Sequence, residues 1–222
     1  MRQMRVFEKN SYSLVDFNAP SVNKWKINKR RKLEETKYDV AQKNALYEEL
    51  FSFINSIYQQ DKAVVTAEEA NYLQELAYRS KLKIPLLIGI DAIHGNALFK
   101  GATVYPSPIS IASRWDESNS YNVGVQTALE MRATGSHWAF TPNIDVMRDA
   151  RWGRVGETFG EDPYLVTQMG LAMINGLQQG DYTGINKVIA CAKHLIAGSE
   201  PINGLNLSPM DISERTLNEI SV

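Results

Sequence analysis

The chain has little of what usually makes a function easy to read. Its 222 residues hold a single cysteine, Cys191, so no internal disulfide framework can form. Cys191 lies in the apolar run Val188-Ile189-Ala190-Cys191-Ala192 and reads as a small buried residue, not a nucleophile. No stretch approaches the ~20 apolar residues of a membrane-spanning helix. The basic start Met1-Arg2-Gln3-Met4-Arg5 has no apolar run behind it, so no secretory signal is read and the compartment stays open. Neither sign of charge is in excess: 24 Lys and Arg face 25 Asp and Glu, a formal net charge of −1. General attraction to nucleic acid or to a membrane surface is therefore not expected.

Several chemical templates are missing as well. There is no Gly-rich loop ending in Gly-Lys-Ser/Thr, no Gly-x-Gly-x-x-Gly after a strand, and no Gly-x-Ser-x-Gly elbow. His94, His137 and His194 fall on different segments with no close His pair, so neither a metal nor another cofactor is expected.

What is present is an ordinary globular composition, 44% apolar and 22% charged, in a chain long enough for one sizeable core or two small ones. Short strands are expected near Val6-Phe7 and Tyr12 to Phe17, and a helix over about 29–60, where Tyr47, Leu50, Phe51, Ile54, Ile57 and Tyr58 recur at three- and four-residue steps. Thr66-Ala67-Glu68-Glu69 has the form of a capping box opening a helix that runs through Leu73 to about Ser80. The run Ile84 to Ile90 is apolar throughout and bounded by Pro85, as in a strand buried on both faces. Asp116 is expected to cap a helix to about Ala133, with Tyr121, Val125, Ala128 and Leu129 on one face. A strand from His137 to Asp145 follows. A helix then opens at Asp162-Pro163, with Leu165, Met169, Met173 and Leu177 turned inward, and stops at Gly180. A strand from Lys187 to Leu195 and a last helix beginning near 211–214 complete the series.

Alternation of helix and strand implies an α/β architecture with parallel strands. In each clear unit the charged groups follow the strand: Asp91 and His94, then Asp145 to Arg154, then Lys193 and His194. Three successive strands that deliver polar groups at one end describe the mouth of a barrel. The densest cluster, Asn143 to Asp162, sets carboxylates and arginines around Trp152 and several glycines. Within it Asp145, Asp149, Glu161 and Asp162 read as loop-bracing and capping groups, Trp152 as packing, and Arg154 either as a ligand group or as an ion-pair partner of Asp149 or Glu157. Carboxylates and cationic donors hydrogen-bond hydroxyls, and an indole face covers C–H surface. A carbohydrate ring offers both.

Four motifs in order carry a family resemblance: Ile84 to Gly95; Arg148 to Arg154 with Gly160-Glu161-Asp162-Pro163-Tyr164; Ala192-Lys193-His194; and Asp211 to Leu217. Residues 66–222 resemble the N-terminal domain of glycoside hydrolase family 3, whereas residues 1–65 carry no motif that can be placed. The resemblance implies the N-terminal portion of a (β/α)8 TIM-type barrel from a retaining, exo-acting β-glucosidase-like enzyme, with a β-glycoside as its partner. Carried over motif by motif, Asp91, Arg154, Lys193 and His194 are the expected substrate-binding residues, all on the terminal sugar. In the family the nucleophile is an aspartate on a later strand and the acid/base usually comes from a following domain. No catalytic residue is therefore assignable here, and the sequence reads as an inactive portion that a C-terminal half would complete. A non-catalytic sugar-binding remnant, or one half of a split enzyme, is the alternative. Ala150 stands where the family usually has Pro. The loop after His194 lacks the Asp-Ser-His of the N-acetylglucosaminidase branch, which points to the glucosidase or xylosidase branch.

Overall fold

A computed structural model describes residues 63–180, 184–210 and 212–221. The strands expected before residue 18, the helix over 29–60 and Asp211 lie outside the described residues. By its internal contacts the chain divides into two units, residues 1–61 with 68–86, and residues 62–67 with 87–222.

Helix α1, Ala63–Arg79, buries Ala70 and Leu73. It is already helical three residues before Thr66, so the expected capping box is not there. Thr66 is fully buried inside the helix. The amides of Glu68 and Glu69 meet carbonyls one turn upstream and need no side-chain cap. In the first unit the Gln74 amide grips the backbone of Leu86 from both sides: Nε2 donates to its carbonyl at 2.8 Å, and Oε1 accepts from its N–H at 2.9 Å.

The second unit holds a parallel sheet of three strands among the described residues, in the order β1 (Gly89–Ile90), β2 (Trp138–Ala139), β3 (Ile189–Ala190). Gly89 pairs with Trp138, which pairs with Ile189, and Ile90 with Ala139, which pairs with Ala190. The order and direction are those expected, but each strand is much shorter. Pro85 and Pro142 cannot donate to a ladder, and both lie outside the regular strands. Ile84 and Leu87 are exposed, and within this run only Ile88 to Ile90 are buried. On the far side pairing resumes as a single bridge between Asn143 and Lys193. Central Ala139 is fully buried while Ile189 on β3 is 38% exposed. Cys191, beyond the same strand, is half-buried rather than buried, because the described sheet covers only one edge of β3.

Two helices follow β1. The short α2, Pro108–Ala112, leads to α3, Glu117–Ala133, whose N-cap Asp116 accepts from the Ser118 N–H at 3.0 Å. Between β2 and β3 runs α4, Pro163–Gln178, with Asp162 as N-cap accepting from Leu165 N–H at 2.8 Å. Leu165, Met169, Met173 and Leu177 are all buried, as their four-residue spacing predicts. Burying side chains of this size stabilises by roughly 1.5–3 kcal/mol each.

The buried face of α3 matches the expected one at Ala128, while Val125 and Leu129 are only half-buried. That face is Ser120, Val123, Gly124, Thr127, Ala128 and Met131, whereas Tyr121 is exposed. Small residues win that face because α3 and α4 touch backbone to backbone. A Cβ on Gly176 would sit 2.2 Å from the Tyr121 carbonyl oxygen, and one on Gly124 would sit 2.7 Å from that of Met173. The Ser120 hydroxyl closes the contact by donating to the Met169 carbonyl at 2.8 Å. The last helix, α5 (Glu214–Thr216), is capped by Ser213 and continues as a π-type turn over Leu217–Ser221.

Candidate functional site

The strand tips build the site. Asp91 follows β1 directly, and Lys193 stands three residues beyond β3. Lys193 is fixed by its own backbone, its N–H donating to Pro142 O at 3.0 Å and its carbonyl accepting from Ile144 N–H at 2.7 Å. So held, its ammonium reaches Asp91 Oδ1 at 2.6 Å. The strand order places β2 between β1 and β3, so this ion pair crosses the tip of the middle strand and joins positions 102 residues apart. The Lys193 side chain is 15% exposed and that of Asp91 35%. Partial burial strengthens the pair relative to one in open solvent, yet Asp91 keeps an accessible face.

His194 turns the other way. Its Nδ1 lies 2.7 Å from Asp145 Oδ2, and the Asp145 side chain is only 1% exposed. The Asp145 N–H donates to Asn143 Oδ1 at 2.8 Å, which holds this end of the loop against the bridge at Lys193. Gly198 passes beside the carboxylate, where an added Cβ would meet Asp145 Oδ1 at 3.5 Å and the His194 Cβ at 3.8 Å.

The long loop beyond Asp145 is organised differently. Arg154 forms a two-pronged pair with Glu157, Nε to Oε1 at 2.9 Å and Nη2 to Oε2 at 2.6 Å, with 11% of its side chain exposed. Its guanidinium carbon sits 5.8 Å from the Trp152 ring centroid, within cation–π range. Trp152 is buried to 2% and donates from Nε1 to Asn206 Oδ1 at 2.9 Å. It packs the loop and offers no open stacking face. Arg151 and Asp149 make a second two-pronged pair at the surface. Hydrogen bonds from Arg151 hold the Asp149 carboxyl below its usual range, and the same bonds push the Arg151 guanidinium higher. Asp162 caps α4, as expected.

Of the four expected substrate-binding residues, the structure joins Asp91 and Lys193 directly. It sets His194 next in chain with its ring on Asp145, and ties Arg154 to Glu157 within its own loop. His94, grouped with Asp91 in the sequence, is occupied with the Tyr105 carbonyl, 3.0 Å from its Nδ1. The residue most undervalued by the sequence is Asp145. Nothing in its local spacing shows that a histidine 49 positions later will meet it. A separate cleft of about 480 Å³, lined by Ile109, Trp115, Phe159, Glu161, Asp162 and Leu165, contains none of the four.

The profile of the glycosyl hydrolase family 3 N-terminal domain matches residues 21–222. The chain belongs to glycosyl hydrolase family 3. It is 40% identical over 158 residues to a β-xylosidase of Formosa agariphila, covering 68% of this chain and 22% of that protein. A periplasmic β-glucosidase of Salmonella typhimurium is 32% identical over 154 residues, covering 69% and 20%. Among solved structures, a β-glucosidase of Erythrobacter marinus superposes with a TM-score of 0.70 at 32% identity, over 73% of this chain and 22% of that one. A Listeria innocua β-glucosidase in complex with glucose gives a TM-score of 0.65 at 35% identity, over 70% and 22%. The same enzyme has also been solved with isofagomine. This family 3 chain thus spans about a fifth of the length of these relatives.

Proposed function

We propose that this chain carries the sugar-holding end of a retaining, exo-acting β-glycosidase of the glucosidase or xylosidase branch. In this reading its strands form the N-terminal portion of a (β/α)8 barrel. The parallel order β1-β2-β3 and the half-exposed Ile189 on the last of them support an arc of sheet that further strands would extend. Residues 66–222 are the barrel portion.

The observation that carries the reading is the Asp91–Lys193 pair at 2.6 Å across the strand tips. A carboxylate and an ammonium held together present acceptor and donor to adjacent hydroxyls of one pyranose, and each neutralises the other's desolvation cost. Asp91 accepts from sugar hydroxyls, Lys193 and His194 serve neighbouring hydroxyls of the same ring, and Arg154 closes the subsite once it shares its guanidinium with the ligand. Hydrolysis with retention needs two further carboxyl groups about 5–5.5 Å apart, nucleophile and acid/base. Neither is assigned among the described residues, so in this reading they hold the sugar and do not by themselves supply the two carboxyl groups.

Titration of the purified chain with isofagomine, followed by tryptophan fluorescence, tests this. Saturable binding that Asp91→Ala removes is the expected result. Robust aryl-β-glucoside hydrolysis by the chain alone, or no binding at all, would overturn the assignment.

A further inference from the structure

We infer that Asp145 is a positioning residue that fixes the His194 ring, fastening Nδ1 inward so that Nε2 is the atom left for the sugar. The inference rests on the sugar-site reading for its ligand, but its geometry stands independently. A carboxylate on a side chain only 1% exposed is a costly group to keep in a loop. Bracing the loop would not require a charge there: the backbone at this point is already held by Asn143 Oδ1 on the Asp145 N–H and by Ile144 N–H on the Lys193 carbonyl.

The carboxylate is nevertheless aimed at one partner, His194 Nδ1 at 2.7 Å, and its other oxygen, Oδ1, is buried with no hydrogen-bond partner among the described residues. An ionised carboxylate only accepts, so Nδ1 must carry the proton. The His194 side chain remains 35% exposed, which leaves the far edge of the ring accessible. Lys193, the preceding residue, points its ammonium to Asp91 on the opposite side, so the two adjacent side chains diverge to separate carboxylates. Each is held in place by an acid from another strand tip. A free imidazole rotates about its side-chain bonds and exchanges tautomers. A ring fastened at Nδ1 presents one nitrogen in one place, which lowers the ordering cost when a hydroxyl binds.

The test reads the ring directly. Nitrogen-15 NMR of the ring-labelled, purified chain at pH 8 is expected to show His194 with a protonated Nδ1, and an Nε2 signal that moves when isofagomine is added. In Asp145→Leu the ring is expected to revert to the Nε2–H tautomer common in water, and isofagomine affinity to fall about tenfold. Asp145→Asn, which keeps a carbonyl acceptor, is expected to restore most of both. An Nε2–H ring in the unaltered chain would sink the inference, as would unchanged tautomer and affinity in Asp145→Leu. If Asp145→Leu does not fold, the unaltered chain and Asp145→Asn still decide. A protonated Nδ1 in a chain that binds no isofagomine would overturn the sugar reading while leaving the Asp145 contact in force.

Discussion

The strand tips and the loop over residues 146–162 look alike in sequence, each a group of acids and bases beside a glycine. They are built on opposite principles. At the tips, an ion pair and a histidine–carboxylate hydrogen bond join residues 102 and 49 positions apart. In the loop the close, two-pronged pairs join residues two and three apart, Arg151 to Asp149 and Arg154 to Glu157. Local pairs form wherever the backbone turns correctly, and they survive as surface features. Distant pairs exist only when the sheet is assembled, so they report the fold and place groups that a ligand can use. Besides a loose Arg148–Glu200 contact at 3.6 Å, the loop's long-range anchors are Trp152, bonded to Asn206, and the Val146 carbonyl, which accepts from the Ser199 hydroxyl.

Trp152→Ala gives the largest expected effect. Removing a buried indole should cost about 3–5 kcal/mol, read as a lower urea midpoint. A loss below about 1 kcal/mol would mean that the loop is held by its ion pairs after all. Next comes the tip pair. Asp91→Ala strands a largely buried ammonium, and a double-mutant cycle with Lys193→Met should give a coupling of about 1–2 kcal/mol, reduced by the exposure of Asp91. A coupling near zero would erase the contrast between tips and loop.

Arg154→Ala should cost less, about 1 kcal/mol or under for a part-buried pair, while weakening isofagomine binding more than Arg151→Ala does. His137, at the opposite end of β2 from the tips, supplies a pH test. Burial first, and the nearby Arg132 charge second, depress its pKa. The unfolded chain therefore takes up a proton at higher pH than the folded one. Stability should be fully present above about pH 6.5 and be lost as pH falls from there through the depressed folded value. Thermal melts across that window should flatten in His137→Phe. Smallest of all is Arg151→Ala, which should leave the melting temperature unchanged, since its pair with Asp149 lies at the surface.

What could be read in advance follows the same division. The caps Asp116 and Asp162 and the inward row Leu165, Met169, Met173 and Leu177 were legible because a cap and a helical stripe are properties of a few consecutive residues. Thr66 misled because its capping-box spacing is equally compatible with the interior of a helix that began earlier. Strand lengths were overestimated because apolar runs mark burial potential, whereas the regular ladder spans only residues 89–90, 138–139 and 189–190. The α3 face was right at Ala128 but wrong at Tyr121, because the approach of α4 was invisible, and with it the need for Gly124 and Gly176.

By itself the sequence determined the alternation of helices and parallel strands, the caps, and the identity of the charged residues at each strand end, since all of these depend on near neighbours in the chain. Only the tertiary structure decided which acid meets which base. Lys193 crosses the tip of β2 to reach Asp91 and His194 turns to Asp145, because the strand register brings those distant positions within hydrogen-bond length.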